Sequence, residues 1–253
     1  MAIKKTEAFV LRTHPFRSSS LIVTTFSRTF GKVKGVAKGV RGEGMARTGT
    51  FESFTLLEIV FYEKLRSELH LISEATVLES FEKLRSHLET LATAYYLTEL
   101  VDQLTEPHDP HESIYELLHF AYQWLPALSP SRMARFFEIR LLLEVGLLPH
   151  LTGCLGCGKK QTADTFFSVQ QGGIFCSDCR KKAPDSRRVS KEALERMGHL
   201  QTAKAADLIQ AGGGEKEDQE IGKLIERFLS ERIAHKFSTR RFLNQVRGLV
   251  RKA

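Results

Sequence analysis

All four cysteines of this 253-residue chain lie in one stretch, CLGCGKKQTADTFFSVQQGGIFCSDC, as Cys154-x2-Cys157 and Cys176-x2-Cys179 with residues 158 to 175 between the pairs. Two thiolates two residues apart can converge on one ion, and the tight turn between them turns backbone N–H groups toward the sulfurs. Two such pairs at this separation have the spacing of a zinc site. Gly158 supplies the backbone angles that a knuckle needs. Thr165–Val169 and Gly173–Phe175 read as two short strands around a Gln-Gly-Gly turn, which makes the segment a zinc ribbon. Four thiolates complete a tetrahedron and leave no position for water or substrate, so the Zn2+ expected here is a single structural ion. Lys159, Lys160, Arg180, Lys181 and Lys182 flank the site and offset the charge of about minus two that zinc and four thiolates carry. A redox CxxC would use one pair beside a strand–helix junction, and two pairs at ribbon spacing argue against it.

No other catalytic set is legible. The chain has no GxxxxGK[ST] phosphate loop and no HExxH. The glycines of Gly39–Gly44 have the wrong spacing for a dinucleotide fingerprint, and no cysteine is left over as a nucleophile. The expectation is a protein that is not an enzyme.

The elements that must carry these residues change character along the chain. Residues 1 to 79 read as five short strands: Glu7–Arg12, Ser20–Phe26, Lys32–Lys38, Phe54–Tyr62 and Leu69–Val77. His14–Ser20, Thr29–Gly31 and Arg41–Gly44 supply the turn signals between them. Five strands at this spacing predict a small closed barrel of the OB type. Residues 1 to 50 hold ten Lys or Arg against two acids, a charge of plus eight. Residues 51 to 220 hold 18 against 26 (minus eight), and residues 221 to 253 nine against two (plus seven). A basic barrel on an otherwise acidic chain is the footprint of nucleic-acid binding. The candidate contacts are Arg12, Arg28, Lys32, Lys34, Lys38, Arg41 and Arg47. Lys32, Lys34 and Lys38 fall at even spacing and should share one face of a strand. Phe9, Phe16, Phe26, Phe30 and Phe51 are aromatics that either stack bases or fill the core, and core is the commoner use.

From residue 80 the apolar period becomes helical. Phe81, Leu84, Leu88, Leu91 and Tyr95 mark one helix. Ile114, Leu117, Leu118, Ala121 and Leu125 mark a second, and Met133, Phe136, Phe137, Leu141 and Leu142 a third that stops at Gly146 and Pro149. Past the ribbon, Ala205–Gln210 reads as a short helix and 211–215 as a loop. Ile221–Leu229 lies in a long helix, and Ser238 starts a last one carrying Arg240, Arg241 and Arg247. The architecture expected is α+β: an N-terminal OB-fold-like β-barrel (1–79), an α-helical domain (80–150), an inserted four-cysteine zinc ribbon (151–182) and C-terminal helices (183–253) packing with the helical domain. Arg132, Arg135 and Arg140, set among apolar neighbours, are candidates for a groove that takes an acidic, hydrophobic peptide. The N-terminus lacks the apolar run of a signal peptide, and Leu141–Leu148 is short and interrupted by Glu144, so a cytoplasmic protein without a membrane span is expected.

The order of these parts resembles the RecO family of bacterial recombination mediators. The residues that carry the likeness are Ala8–Arg12, Ile22–Ser27, the segment FGKVKGVAKG from Phe30 to Gly39, Phe136–Leu142, Gly146–Pro149, and the CxxCG…GGxxCxxC ribbon. The resemblance implies a repair factor that binds single- and double-stranded DNA and anneals complementary strands without ATP. It implies engagement of the acidic tail of single-strand binding protein, action with RecR, and through it help in loading RecA, in the cytoplasm at the nucleoid. A zinc-ribbon accessory factor for transcription or translation, binding RNA or polymerase, is the alternative that the residues alone leave open.

Overall fold

A computed structural model of the chain describes residues 2–41, 48–64, 66–160, 164–210, 214–233 and 238–250. The chain divides into two compact units, Met1–Pro126 with Thr239–Ala253, and Ala127–Ser238.

The first unit is built on a closed five-stranded barrel. Its strands are β1 (Ile3–Phe16), β2 (Ser20–Ser27), β3 (Gly31–Ala37), β4 (Thr55–Tyr62) and β5 (Leu69–Ser80), in the order β1-β2-β3-β5-β4 with β4 closing onto β1. Only β3 and β5 run parallel. This is the OB-like barrel that the strand spacing predicts. Period-2 alternation decides its interior: Ala8, Val10, Val23, Val33, Ala37, Leu57, Ile59 and Phe61 fill it. β1 is longer than expected. His14, Pro15 and Phe16 belong to the strand, and the turn is confined to Arg17–Ser19, with Arg17 at φ 55°. Beyond Phe9, β1 pairs with β2 alone. On that free edge a proline removes no ladder hydrogen bond.

Two helices, α1 (Leu88–Leu104) and α2 (Glu112–Trp124), pack on the outside of the barrel. Phe9, pointing outward from β1, meets Tyr115 at 4.9 Å and Tyr122 at 5.5 Å, and Phe54 meets Tyr122 at 5.6 Å. The apolar stripe expected to run from Phe81 to Tyr95 breaks in the middle. Phe81 and Leu84 are buried on a 3-10 turn, Glu82–Arg85, but Leu88 and Tyr95 are exposed. Two non-helical residues, Ser86 and His87, reset the helical phase. Ala92, Tyr96, Leu97, Leu100 and Val101 then form the buried face. The last helix, α7 (Ser238–Val250), folds back on α1: Arg240 donates to the Tyr96 hydroxyl at 2.7 Å, and Arg247 pairs with Glu89 at 3.1 Å.

The second unit joins the ribbon to helices α3 (Pro130–Glu144), α4 (Lys191–Thr202), α5 (Ala205–Gln210) and α6 (Glu215–Arg232). Of these, α3, α4 and α6 pack against one another through Met133, Phe137, Leu194, Met197, Ile221 and Ile225. Ser190 caps α4 by accepting from the Ala193 N–H at 3.2 Å, and its own hydroxyl donates to Glu220 at 2.6 Å. The ribbon has strands β6 (Thr165–Ser168), β7 (Gly173–Cys176) and β8 (Arg187–Val189), in the order β7-β6-β8. The third strand escapes a sequence reading because it is three residues long and two of them are arginines. The helical segment expected at 80–150 therefore divides: α1 and α2 pack with the barrel and α3 with the ribbon unit. The segment 183–253 divides likewise. Of the loop expected at 211–215, residues 211–213 lie outside the described residues, while Gly214 has φ 84° and Glu215 opens α6.

Two positions in the first unit make testable demands. Gly31 has φ 61°, and a Cβ there would overlap the Asp109 carbonyl in the α1–α2 connection. Gly31→Ala should cost at least about 2 kcal/mol by urea denaturation, through steric clash and left-handed strain together. His70 is buried beside Phe61 and His108. Burial first, then the neighbouring His108, lowers its pKa from the ordinary 6.5. The unfolded chain therefore takes up a proton that the fold refuses, and stability falls as pH drops below about 6.5. Urea midpoints of wild type and His70→Gln at pH 7.5 and 5.5 should show a smaller acid loss in the variant.

Candidate nucleic-acid interface and metal centre

The four thiols of the ribbon converge. Their sulfurs all lie within 4.8 Å of one another, and Cys157 Sγ stands 3.8 Å from Cys176 Sγ. A disulfide would need about 2.05 Å. Four sulfurs held about 2.3 Å from a tetrahedral ion stand about 3.8 Å apart. In the first knuckle the Gly158 N–H donates to the Cys154 carbonyl at 2.8 Å, with Gly158 at φ 72°. The N–H groups of Gly156 and Cys176 each donate to Cys154 Sγ at 3.3 Å. Burial works against a charged Cys154, but backbone donors from Cys176, Gly156 and Cys157 outweigh it and bring the thiol down to about 6. Burial, and then the crowding sulfurs of Cys157, Cys176 and Cys154, push Cys179 up to about 12. The cluster thus stabilises one thiolate strongly and opposes the last one. A divalent cation bound by all four reverses that opposition, so the donor set fits a thiophilic metal ion. Four protein ligands make such a centre closed.

The basic residues of the barrel have separate fates. Arg28 sits among Glu7, Glu112 and Glu116 and lies over the Tyr115 ring at 4.7 Å. Lys32 turns inward to α1: its ammonium donates to the carbonyls of Asp102 and Thr105 and stands 3.5 Å from the Asp102 carboxylate. Both residues bind barrel to helices. Arg12 shares Asp102 at 3.0 Å but keeps half its side chain in solvent. Lys34 and Lys38 are exposed, Arg41 is half-buried, and Arg47 lies outside the described residues. The shared face expected of Lys32, Lys34 and Lys38 holds for the first two, whereas Lys38 lies past the end of β3 and Lys32 is taken up by α1.

Strand register brings the remaining cations together. Arg12 pairs with Thr24, which pairs with Lys34, so the two cations flank Thr24 on the outer face of β1-β2-β3. Neighbouring strands are about 4.8 Å apart, which puts them about 10 Å from each other along the sheet. The next rows are His14–Ile22–Val36 and Phe16–Ser20. Phe16 is half-buried, with the Arg17 guanidinium 5.2 Å from its ring centre. Of the five phenylalanines, Phe9, Phe26 and Phe51 are core, and Phe30 packs on Phe61 at 5.7 Å. Phe16 is the aromatic on this open face. The turn signal over His14–Ser20 hides His14, Pro15 and Phe16, three residues of paired strand, and Arg17 directly follows them.

The arginines of α3 do not form a groove together. Arg135 is 2% exposed and pairs with Glu138 at 2.8 Å, under Gly222 of α6. Arg140 donates to the Gln201 carbonyl at 2.7 Å, and Arg132 is half-buried. An apolar stripe on α3 is a packing face here, and Arg135 is drawn inside it by its buried carboxylate.

Fold and site define a class: an OB-like barrel and a four-cysteine ribbon in a helical frame, with a cationic outer sheet face. The family model "Recombination protein O N terminal" matches residues 1–81, and "Recombination protein O C terminal" matches residues 85–241. The chain is 31% identical to the DNA repair protein RecO of Anaeromyxobacter sp. strain Fw109-5, covering 97% of each chain. It is 29% identical to that of Desulforamulus reducens (97% of this chain, 96% of the relative) and 28% identical to that of Syntrophus aciditrophicus (98% of each). The chain belongs to the RecO family of DNA repair and recombination proteins.

The crowded Gly156 offers a test of the metal centre. A Cβ there would stand 2.8 Å from Cys179 Cβ and 2.9 Å from its sulfur. Gly156→Ala should displace one ligand and lower metal affinity about tenfold or more, as loss of a supporting contact does. Competition with a chromogenic chelator would measure it.

Proposed function

We propose that this protein is a non-enzymatic recombination mediator. In this reading it binds single- and double-stranded DNA through the barrel and anneals complementary strands without ATP. With RecR it helps load RecA onto DNA coated by single-strand binding protein, in the cytoplasm at the nucleoid. The observation that carries this is the row Arg12–Thr24–Lys34, continued along β1 by Phe16, in which Lys34 is exposed and Arg12 keeps half its side chain in solvent although Asp102 of α1 holds it. Two cations about 10 Å apart suit backbone phosphates, and a partly exposed ring two rows further along β1 suits an unstacked base. Neutralising phosphates releases condensed counterions, so affinity falls steeply with salt. Annealing needs no nucleotide because base pairing supplies the free energy once backbone repulsion is screened. The ion in the ribbon is zinc, which Cys154, Cys157, Cys176 and Cys179 hold as a structural crosslink.

Arg12→Gln with Lys34→Gln should weaken single-strand binding and reduce the salt slope by about 1.4, from two phosphates at about 0.7 each, the amide at position 12 keeping a donor for the Asp102 carboxylate. Lys32→Met should act chiefly on stability, because its partners are internal. Annealing of complementary oligonucleotides coated with single-strand binding protein, followed by fluorescence without ATP, should be rapid for wild type and slow for the double variant. Absence of annealing by wild type would instead favour an RNA- or polymerase-binding ribbon protein.

A further inference from the structure

We propose that the outer face of the ribbon sheet is a second surface for single-stranded DNA, centred on Phe166 between Arg180 and Arg188. The inference rests on the DNA reading above and adds to it a separate site in the second unit. Phe166 lies on β6 and is partly exposed, while its neighbours Thr165 and Phe167 face inward, Phe167 meeting Phe228 of α6 at 6.2 Å; the partner of Phe166 on β7, Phe175, is buried with the cysteines, so the accessible part of this face is its β6–β8 side. The Arg180 guanidinium carbon stands 4.4 Å from the Phe166 ring centre. Arg188 is the register partner of Phe166 on β8, one strand spacing away. An open ring with one cation on its face and another beside it has the parts of a stacking platform on a phosphate-binding track.

The competing use of these cations is to neutralise the metal thiolates, and the contacts argue against it. Among the described residues, Cys154 Sγ receives its hydrogen bonds from backbone N–H groups, those of Gly156 and Cys176 at 3.3 Å, rather than from side-chain cations. Lys159 is engaged by Asp178 at 3.6 Å. Arg180 is turned to the ring, and Arg188 pairs with Asp164 at 2.8 Å. That pair is well exposed on both sides, so it exchanges readily for a phosphate. Residues 154–191 carry eight lysines and arginines against three aspartates, a surplus of five, although the chain's middle third is acidic. Charge complementarity therefore selects a polyanion, and the open ring selects a single strand over a duplex, whose bases are already stacked.

The full-length zinc-loaded protein would be photo-crosslinked to a thymine-rich oligonucleotide carrying 5-iododeoxyuridine, and the adducts mapped by mass spectrometry. Adducts are expected on the peptide that contains Phe166. Arg180→Ala with Arg188→Ala should lower the single-strand salt slope by about 1.4 and weaken binding three- to tenfold, at unchanged zinc content and thermal midpoint. Arg180→Lys with Arg188→Lys should restore the slope. Adducts confined to the barrel, with an unaltered slope in the alanine variant, would overturn the proposal and leave the barrel reading standing. No single-strand binding by wild type would overturn both. Capture of an acidic peptide that depends on Arg180 and Arg188, without DNA adducts, would assign the face to a protein partner instead.

Discussion

Asp102 lies in the last turn of α1 with its carboxylate almost fully buried, 3.0 Å from Arg12 Nε and 3.5 Å from Lys32 Nζ. Those cations come from two strands of the barrel, so one carboxylate fastens the helical layer to β1 and to β3. A buried charge without partners would be costly, and a carboxylate shared by two cations is tolerated because both stay within reach. Burial lowers the Lys32 pKa although Asp102 opposes it, and the carbonyls of Asp102 and Thr105 accept from the ammonium that burial removes from water. The α1–α2 connection is held to the same strand: the His108 N–H donates to the Lys32 carbonyl at 3.4 Å, and Gly31 gives the Asp109 backbone room. The helices consequently cover Lys32 and reach Arg12, leaving Lys34 and half of the Arg12 side chain exposed.

This constraint explains why net charge alone misjudges the surface. The first fifty residues carry plus eight, and the segment that follows is acidic. Where acids of α1 and α2 fold against the barrel they consume Arg28 and Lys32. The positive charge that stays accessible on β3 and just beyond it is that of Lys34 and Lys38, joined by the exposed half of Arg12. Charge segregation along a chain therefore locates a basic element correctly but overstates how much of it faces a ligand.

The same logic separates what the sequence made legible from what it hid. The cysteine spacing set the ribbon because metal ligation imposes a short, residue-specific geometry. The barrel strands were legible because alternation puts Val33, Gly35 and Ala37 on one side and Lys32 and Lys34 on the other. Three features were hidden, each for a non-local reason. Pro15 reads as a turn unless it is known that one edge of β1 is unpaired there. Tyr96, Thr93 and Thr98 are polar by type but buried, which obscured the true face of α1. Arg135 resembles a solvent-facing cation until its partner Glu138, three residues on, is seen to be buried with it.

In the mediator role proposed above, the protein must hold DNA firmly enough to compete for it and loosely enough to let base pairing take over. Contacts made to phosphates from an open sheet face meet both needs, since they leave the base edges unread and their strength is set by salt rather than by sequence. A closed pocket around each base would bind more tightly but would block the complementary strand. On the proposed reading, the partly exposed rings of Phe16 and Phe166, each beside an arginine, suit annealing better than deep aromatic clefts would. The buried phenylalanines Phe9, Phe26 and Phe51 pack the barrel closely, which fixes the spacing of the side chains on its outer strands.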